Sequence, residues 1–282
     1  MIKIGLLHTT IRGDEKLLIE AAKKRNAALE LIDVRNLILN PKKTSVSSDV
    51  LLERCISTVK GMYAISYFES LDMKVINKSS VASVCEDKFL TSLRLEKNNI
   101  KTPRFAMVFS ETEAIAAIEQ MGGFPVIVKP PLGSWGRLLA KVNDKDSLEF
   151  LLEHKQVLGT PPHAAFYIQE YIEKSGFDIR AFVIDGEVIC IIARRSNHWI
   201  TNTARGGKAE NYPVNKQLKT ICKQVSDAIG GGVVAIDIME TKSGYIINEI
   251  NHTMEFKNSE APTGVSISGA IIDYCIKIAK EK

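Results

Sequence analysis

Asp237, Glu249 and Asn251 are the residues whose types and spacing speak first of chemistry. They lie in AIDIMETKSGYIINEIN, residues 235–251, where two runs rich in β-branched residues flank Thr-Lys-Ser-Gly. Glycine supplies the backbone freedom of a tight turn, so the segment predicts a β-hairpin. A turn centred on Ser243 sets Asp237 opposite Glu249, and strand alternation puts Asn251 on the face of Glu249. Two carboxylates and an amide then converge. Such an all-oxygen set suits Mg²⁺, which takes a few carboxylates and completes its shell with water and phosphate. An edge hairpin carrying solvated acids has the same pattern, so the hairpin alone leaves both readings open.

Other stretches carry further candidates. Lys129 ends the apolar run from Phe124 to Val128, where a lysine either snorkels to water or meets an anion. In the following Pro130 to Arg137, Gly133 and Gly136 let backbone N–H groups approach phosphate oxygens, or simply make a glycine turn. The loop lacks the Gly-Lys-Ser/Thr ending of a Walker loop and lies between two predicted strands, which rules that motif out. Gln169, Glu170, Tyr171 and Ile172 end one strand, and Asp178-Ile179-Arg180 opens another. A backbone hinge at such a crossing pairs with an adenine edge while a nearby acid accepts ribose hydroxyls; exposed strand-end acids are the plainer alternative. Arg194, Arg195, Asn202 and Arg205-Gly206-Gly207 surround one loop. Planar guanidinium groups grip carboxylate or phosphate at two points, so the cluster favours an anionic ligand over mere surface charge.

The elements that must hold these residues follow from periodicity. MIKIGLLHTT and EKLLIEAAKKRNAALELIDV read strand, loop, amphipathic helix, strand, so residues 1–80 predict a small α/β unit with a parallel sheet. NPKKTSVSSDVLLERC is a polar loop leading into a helix or strand. A helix starting after Ser79-Ser80 carries Lys88 towards Arg94 and ends before Pro103, since the residue preceding proline avoids the helical region. Helices are predicted over ETEAIAAIEQMG, SLEFLLEHKQVL, KQLKTICKQVSDAIG and SGAIIDYCIKIAK. Strands are predicted over FPVIVK, LLAKV, FYIQEYI, DIRAFVID and GEVICIIARR, the last two joined across Asp185-Gly186; SNHWITNTARGGKAENYPV reads as loop.

A chain of 282 residues buries a large core, and 45 % hydrophobic with 25 % charged residues is the make-up of a water-soluble globular protein. A net charge of +4 suits a phosphate-bearing ligand or an acidic partner and is too weak to argue for nucleic acid. No stretch is long and apolar enough for a membrane span, and no signal-like region precedes the first strand, so the expected place is the cytoplasm. The five scattered cysteines include no Cys-x-x-Cys pair and read as small buried hydrophobes.

In the order Lys88, VIVKPPLGSWGR, QEYI, DIR, ARGG and the D…NEIN hairpin, the chain resembles the ATP-grasp ligases over nearly its whole length. The resemblance implies a mixed α/β and α+β architecture: an N-terminal α/β domain (1–80), then central (81–168) and C-terminal (169–282) α+β subdomains enclosing ATP. It implies that Lys88 and Lys129 contact the phosphates, that Gly133, Ser134, Trp135, Gly136 and Arg137 cover them, and that Gln169, Glu170, Tyr171 and Ile172 line the adenine. Asp178 would hold the ribose, Asn202 would reach both nucleotide and substrate, and Asp237, Glu249 and Asn251 would hold two Mg²⁺.

Within these ligases, HWITNTARGGKAEN and NEINHTMEFKNS are most similar to the enzymes that join α-aminoadipate to the acidic carrier protein LysW. Near relatives are the glutamate–LysW ligases and the RimK-type glutamate ligases. The aminoadipate enzymes carry Asn and a small residue after Phe-Lys where the glutamate–LysW enzymes carry Gly-Phe; Asn258-Ser259 stands on the aminoadipate side. The resemblance implies ATP-dependent activation of the carrier's C-terminal glutamate as an acyl phosphate, followed by amine attack. Lys129 and Arg205 would meet developing negative charge. Arg180, Arg194, Asn202, Thr203, Arg205, Gly206, Asn258 and Ser259 would bind the amino acid and carrier tail. No cysteine or serine nucleophile is needed, and no general base stands out. A homodimer or homotetramer without nucleic-acid or membrane partners is expected. The alternative from another class is a nucleotide-binding module that has lost its chemistry, and the retained Lys129, Asp237, Glu249 and Asn251 speak against it.

Overall fold

The computed structural model describes residues 1–40, 42, 46–133, 138–159, 165–174, 176–196, 199, 201 and 207–281. The expected site residues Ser134, Trp135, Gly136, Arg137, Asn202, Thr203, Arg205 and Gly206 lie outside them.

Strands β1 (Lys3–His8), β2 (Ala28–Asp33), β3 (Val50–Glu53) and β4 (Val75–Ile76) form a parallel sheet in the order β2-β1-β3-β4. Parallel neighbours need crossovers, and helices α1 (Gly13–Lys24) and α2 (Thr58–Glu69) supply two of them. The Ser57 hydroxyl caps α2 by accepting from the Lys60 N–H. The polar loop after Asn40 thus leads to a buried strand first and a helix second.

The single helix expected after Ser79 is two helices, α3 (Ser79–Glu86) and α4 (Lys88–Lys97). Asp87 is extended between them, and its carboxylate accepts from the N–H groups of Phe89 and Leu90. An aspartate that can satisfy two free helix donors makes a better N-cap than a helix interior. The break also lets Asp87 bridge to Leu132 and the Lys88 N–H donate to Pro131 O at 3.0 Å, which brings the start of α4 to the Gly133 loop.

Strands β5 (Phe105–Val108), β6 (Val126–Lys129), β7 (Ala140–Val142) and β8 (Phe166–Glu170) make an antiparallel sheet in the order β5-β8-β6-β7. Helices α5 (Glu111–Gln120) and α6 (Lys145–Leu158) cover one face through Ile118, Leu148 and Leu152, which pack on Val126, Val128, Phe166 and Ile168. By alternation, Ile127, Lys129, Tyr167 and Gln169 occupy the other face.

Strands β9 (Phe177–Ile184), β10 (Glu187–Arg195), β11 (Lys208–Asn211), β12 (Val233–Thr241) and β13 (Gly244–Asn251) form the third sheet, antiparallel in the order β11-β10-β9-β12-β13. Strand β11 lies in the stretch read as loop. Its Lys-Ala-Glu-Asn has little intrinsic strand preference, and the ladder to Ile192–Arg195 makes it a strand. Helix α7 (Lys216–Ile229) covers one face; α8 (Glu260–Thr263) and α9 (Ile267–Lys280) follow.

The chain's packing crosses its sequence divisions. Phe182, Ile192, Val233 and Ala235 of the third sheet share one core with Ile4 and Leu52 of the first, with α1, and with Ile271, Ile272 and Cys275 of α9. Helices α3 and α4 send Val81, Cys85 and Leu95 into the core on the sheet's other face, beside Ile236 and Ile247. The buried Asn77 side chain locks the junction, donating to Val233 O and His252 O, both at 2.8 Å, and accepting from Val233 N–H at 2.6 Å. All five cysteines are buried, and no helix among the described residues is long and apolar enough to cross a membrane.

Candidate active site

The hairpin forms, and Asp237 pairs with Glu249 and Ala235 with Asn251 as expected, but the turn closes on Thr241 and Gly244 (φ +109°), half a residue from the expected centre at Ser243. A β-bulge beside Asp237 shifts the ladder and turns these polar ends towards a cleft between the second and third sheets. That cleft, about 780 Å³, is lined by Lys88, Lys129, Gln169–Ile172, Asp178 and Glu249. A second cavity of about 980 Å³ continues from it; the two share Gly133, Asp237 and Glu249. The second is walled by Arg12, Cys55, Thr58 and the segment Asn251–Glu255.

Lys129, 4 % exposed, sits on the cleft face of β6 with Nζ 5.4 Å from the centre of the Tyr167 ring. Burial pushes its ammonium down to about 8; Glu249 and Asp237 oppose the fall and Lys88 adds to it. A second lysine, Lys88, begins α4 and donates from Nζ to Gly133 O. Two ammonium groups therefore line one cleft beside Gly133, an arrangement that attracts phosphate. Gln169 Nε2 donates to Tyr167 Oη at 3.2 Å, and that hydroxyl also meets Ser92 Oγ at 2.7 Å. Glu170 is held by Arg104 through its N–H at 2.8 Å and Nε at 2.7 Å, while Lys141 Nζ stacks 3.7 Å over Tyr171.

Asp178 is buried and already partnered: Arg194 Nε donates to Oδ1 at 2.7 Å, Thr201 donates to Oδ2, and Lys174 Nζ lies 3.5 Å away. Asp237 accepts from Arg180 Nε at 2.7 Å and Nη2 at 2.8 Å, and Arg194 Nη2 is 3.1 Å from Oδ2. Burial opposes its charge, but the two guanidinium groups win and hold the carboxyl well below the usual range. Arg194, expected to grip a substrate carboxylate, is 2 % exposed and spans two carboxylates of its own chain, while it also lines the second cavity. A guanidinium suits an internal anion as well as an external one, and residue type alone does not tell them apart. Arg180 and Arg194 both line a small pocket with Glu255, Lys257, Asn258 and Ser259.

The segment carrying Asn258 and Ser259 is held by the N-terminal sheet. Asp14 accepts from the N–H groups of Phe256 at 2.6 Å and Lys257 at 2.8 Å; Arg54 donates to Met254 O at 2.8 Å; Thr253 donates to Glu53 at 2.9 Å. Arg12 bridges Glu15 and Glu255. Sequence reading missed these residues, together with Tyr167, Lys174 and Thr201. Alternation along β8 from Gln169 would have found Tyr167; no local signal marks the others.

The donor set fits a hard cation. The Glu249 carboxylate has no hydrogen-bond or ion-pair partner among the described residues, and it lines both cavities. Among the described residues, Asp237 Oδ1 accepts only from Arg180, which leaves it a lone pair. No cluster of three or more His, Cys, Asp or Glu side chains is found among the described residues, so phosphate and water would have to complete the shell, as Mg²⁺ prefers.

This architecture has relatives. Residues 85–275 match the RimK-like ATP-grasp domain and residues 4–84 the LysX preATP-grasp domain. The chain belongs to the RimK-like ATP-grasp family, whose members are ligases that use ATP. More narrowly, it is 34 % identical over 277 residues to the glutamate–LysW ligase ArgX of Sulfurisphaera tokodaii, covering 97 % of this chain and 98 % of that one. It is 33 % identical over 275 residues to the α-aminoadipate–LysW ligase LysX of the same organism, covering 95 % and 96 %. A RimK domain ATP-grasp protein from Sphaerobacter thermophilus shares the fold with a TM-score of 0.82 at 24 % identity, over 97 % of this chain and 99 % of that one.

Proposed function

We propose that the protein joins an amino acid, α-aminoadipate, to the C-terminal glutamate of a LysW-type carrier protein at the expense of ATP. The observation that carries this reading is the meeting of two cavities at Asp237, Glu249 and Gly133, one beside the buried Lys129 and the other walled by the N-terminal sheet and residues 251–255. Full-length similarity to two LysW ligases supports the carrier as partner.

ATP lies in the cleft with its adenine at Gln169–Ile172, its ribose at Asp178 and its phosphates between Lys88 and Lys129. Asp237, Glu249 and Asn251 would hold Mg²⁺, which would supply charge neutralisation at the phosphates. A carboxylate oxygen of the carrier's terminal glutamate attacks the γ-phosphorus, and ADP leaves with the electron pair. The α-amino group of the amino acid then attacks the acyl carbon, phosphate departs, and the nitrogen gives its proton to phosphate or water. Lys129 stabilises the transferring phosphoryl group by position and charge, with no covalent step on the protein. Arg180 and Asn258, at the small pocket beside the second cavity, face the amino acid's carboxylates.

The choice of α-aminoadipate rests on Asn258-Ser259, while the similarity to the glutamate enzyme is as high as to the aminoadipate one and favours glutamate as the second reading. Incubation with ATP, Mg²⁺, LysW and each amino acid, followed by intact mass of the carrier, tests both. The carrier should gain one α-aminoadipyl residue. A gain with glutamate alone would establish the second reading, and no gain with either would refute LysW ligation.

A further inference from the structure

Arg194 stands first in bulk among the fully buried side chains described, though its guanidinium is charged. Burying a guanidinium is costly unless its donors are matched, and here the match is divided. Strand β9 lies between β10 and β12, with Arg194 opposite Asp178 and Asp237 opposite Arg180. Arg194 reaches over β9 to touch both carboxylates, through Nε to Asp178 at 2.7 Å and Nη2 to Asp237 at 3.1 Å. Each carboxylate has another cation besides, Lys174 at Asp178 and Arg180 at Asp237, so charge neutralisation alone does not call for Arg194. Among the described residues, what only Arg194 does is connect them.

We infer that Arg194 is a positioning residue that couples the nucleoside end of the site to the metal end, by sharing one guanidinium between Asp178 and Asp237. The inference rests on the proposed roles of Asp178 at the ribose and Asp237 at the metal. A divalent cation at Asp237 repels Arg194 and lowers the charge left for it, so Arg194 closes on Asp178. Asp178 then has less to offer the ribose hydroxyls. Nucleoside and metal therefore oppose each other across the strut. Phosphates reverse the balance, because they bring ligands for the metal and contacts for Lys88 and Lys129. Metal-loaded enzyme thus holds a triphosphate well and a phosphate-poor nucleotide poorly, which favours release after transfer.

Adenosine and Mn²⁺ separate this coupling from direct chelation, since adenosine has no phosphate to touch the metal. Adenosine binding is measured by calorimetry with and without saturating Mn²⁺, and Mn²⁺ binding by electron paramagnetic resonance with and without adenosine. In the wild-type chain Mn²⁺ should raise the adenosine Kd about fivefold, the lower end of ordinary site-to-site coupling, and adenosine should raise the Mn²⁺ Kd by the same factor. Arg194→Lys keeps the charge but cannot span both carboxylates, so both factors should fall to about one. Independent binding in the wild-type chain would overturn the inference without requiring any variant to fold. Equal coupling in Arg194→Lys would overturn it as well. Asp237→Asn and Asp178→Asn guard the underlying roles: if the first leaves Mn²⁺ affinity unchanged, or the second leaves adenosine affinity unchanged, the site assignment fails rather than the strut.

Discussion

Raising the pH should loosen the grip of this protein on metal-free ADP while making the empty protein more stable, because both effects run through Lys129. Burial holds the Lys129 ammonium down to about 8 in the empty cleft, against an ordinary value of 10.5. If bound phosphates restore the ordinary value, association takes up a proton between those limits. Affinity is then full below about pH 8 and falls above it. From about pH 7.5 to about 9.5 the loss works out at roughly twentyfold in Kd by proton linkage. Secondary phosphates titrate near ~6, so ADP itself is fully ionised over this range. For folding the sign is opposite. Between about 8 and 10.5 the unfolded chain binds more protons than the folded one, so stability rises with pH there, up to about 3 kcal/mol for this group alone. Calorimetric titration of ADP in the presence of a chelator, paired with urea melts at each pH, reads both quantities. Lys129→Met should remove the Lys129 share of each slope. A flat wild-type affinity profile, or an unaltered one in Lys129→Met, would refute the assignment of Lys129 to the phosphates.

Three other outcomes are expected. Asp237→Ala and Glu249→Gln should each abolish ADP release with carrier, amino acid, ATP and Mg²⁺ present, and retained turnover would remove these residues from the metal site. Replacing Asn258-Ser259 by Gly-Phe should move preference from α-aminoadipate to glutamate in competition assays, whereas unchanged selectivity would relocate the specificity determinant. Asn77→Ala strips the Val233 and His252 carbonyls and the Val233 N–H of their partner; at about 1 kcal/mol or more for each buried hydrogen bond, urea melts should show a loss of about 2–4 kcal/mol.

How far the site could be read in advance depended on how local each cause was. That a hairpin forms here was legible because β-branched alternation and a turn glycine act over a few residues, but the turn pairs Thr241 with Gly244, and the unforeseen bulge between Asp237 and Ile238 is what brings Asp237 opposite Glu249. The cleft face of the second sheet follows from the same alternation, which sets Lys129 beside Tyr167. The break at Asp87 was missed because the helical period runs through it; a carboxylate that caps the next helix and a strand bridge to Leu132 end the first one. Strand β11 owes its form to its partner and little to its own residues. Least legible was the pinning of residues 253–257 by Asp14, Glu53 and Arg54, whose carboxylates and guanidinium look like ordinary surface charge until the fold brings distant segments together.

The shared core of the first sheet and helix α9 has a consequence for how the chain is made. Ile4, Leu18 and Leu52 find part of their cover in Ile267, Ile271 and Cys275.

 Lys74 Nζ donates to Ile278 O at 3.1 Å and to Ala279 O at 3.3 Å. During synthesis part of that core therefore lacks its cover until residues 267–280 are translated. Folding intermediates of this kind are the ones that chaperones hold and proteases remove. A message cut short or a stalled ribosome would yield a product marked for disposal by its own uncovered flank. A chain shortened before residue 267 should therefore bare this apolar flank.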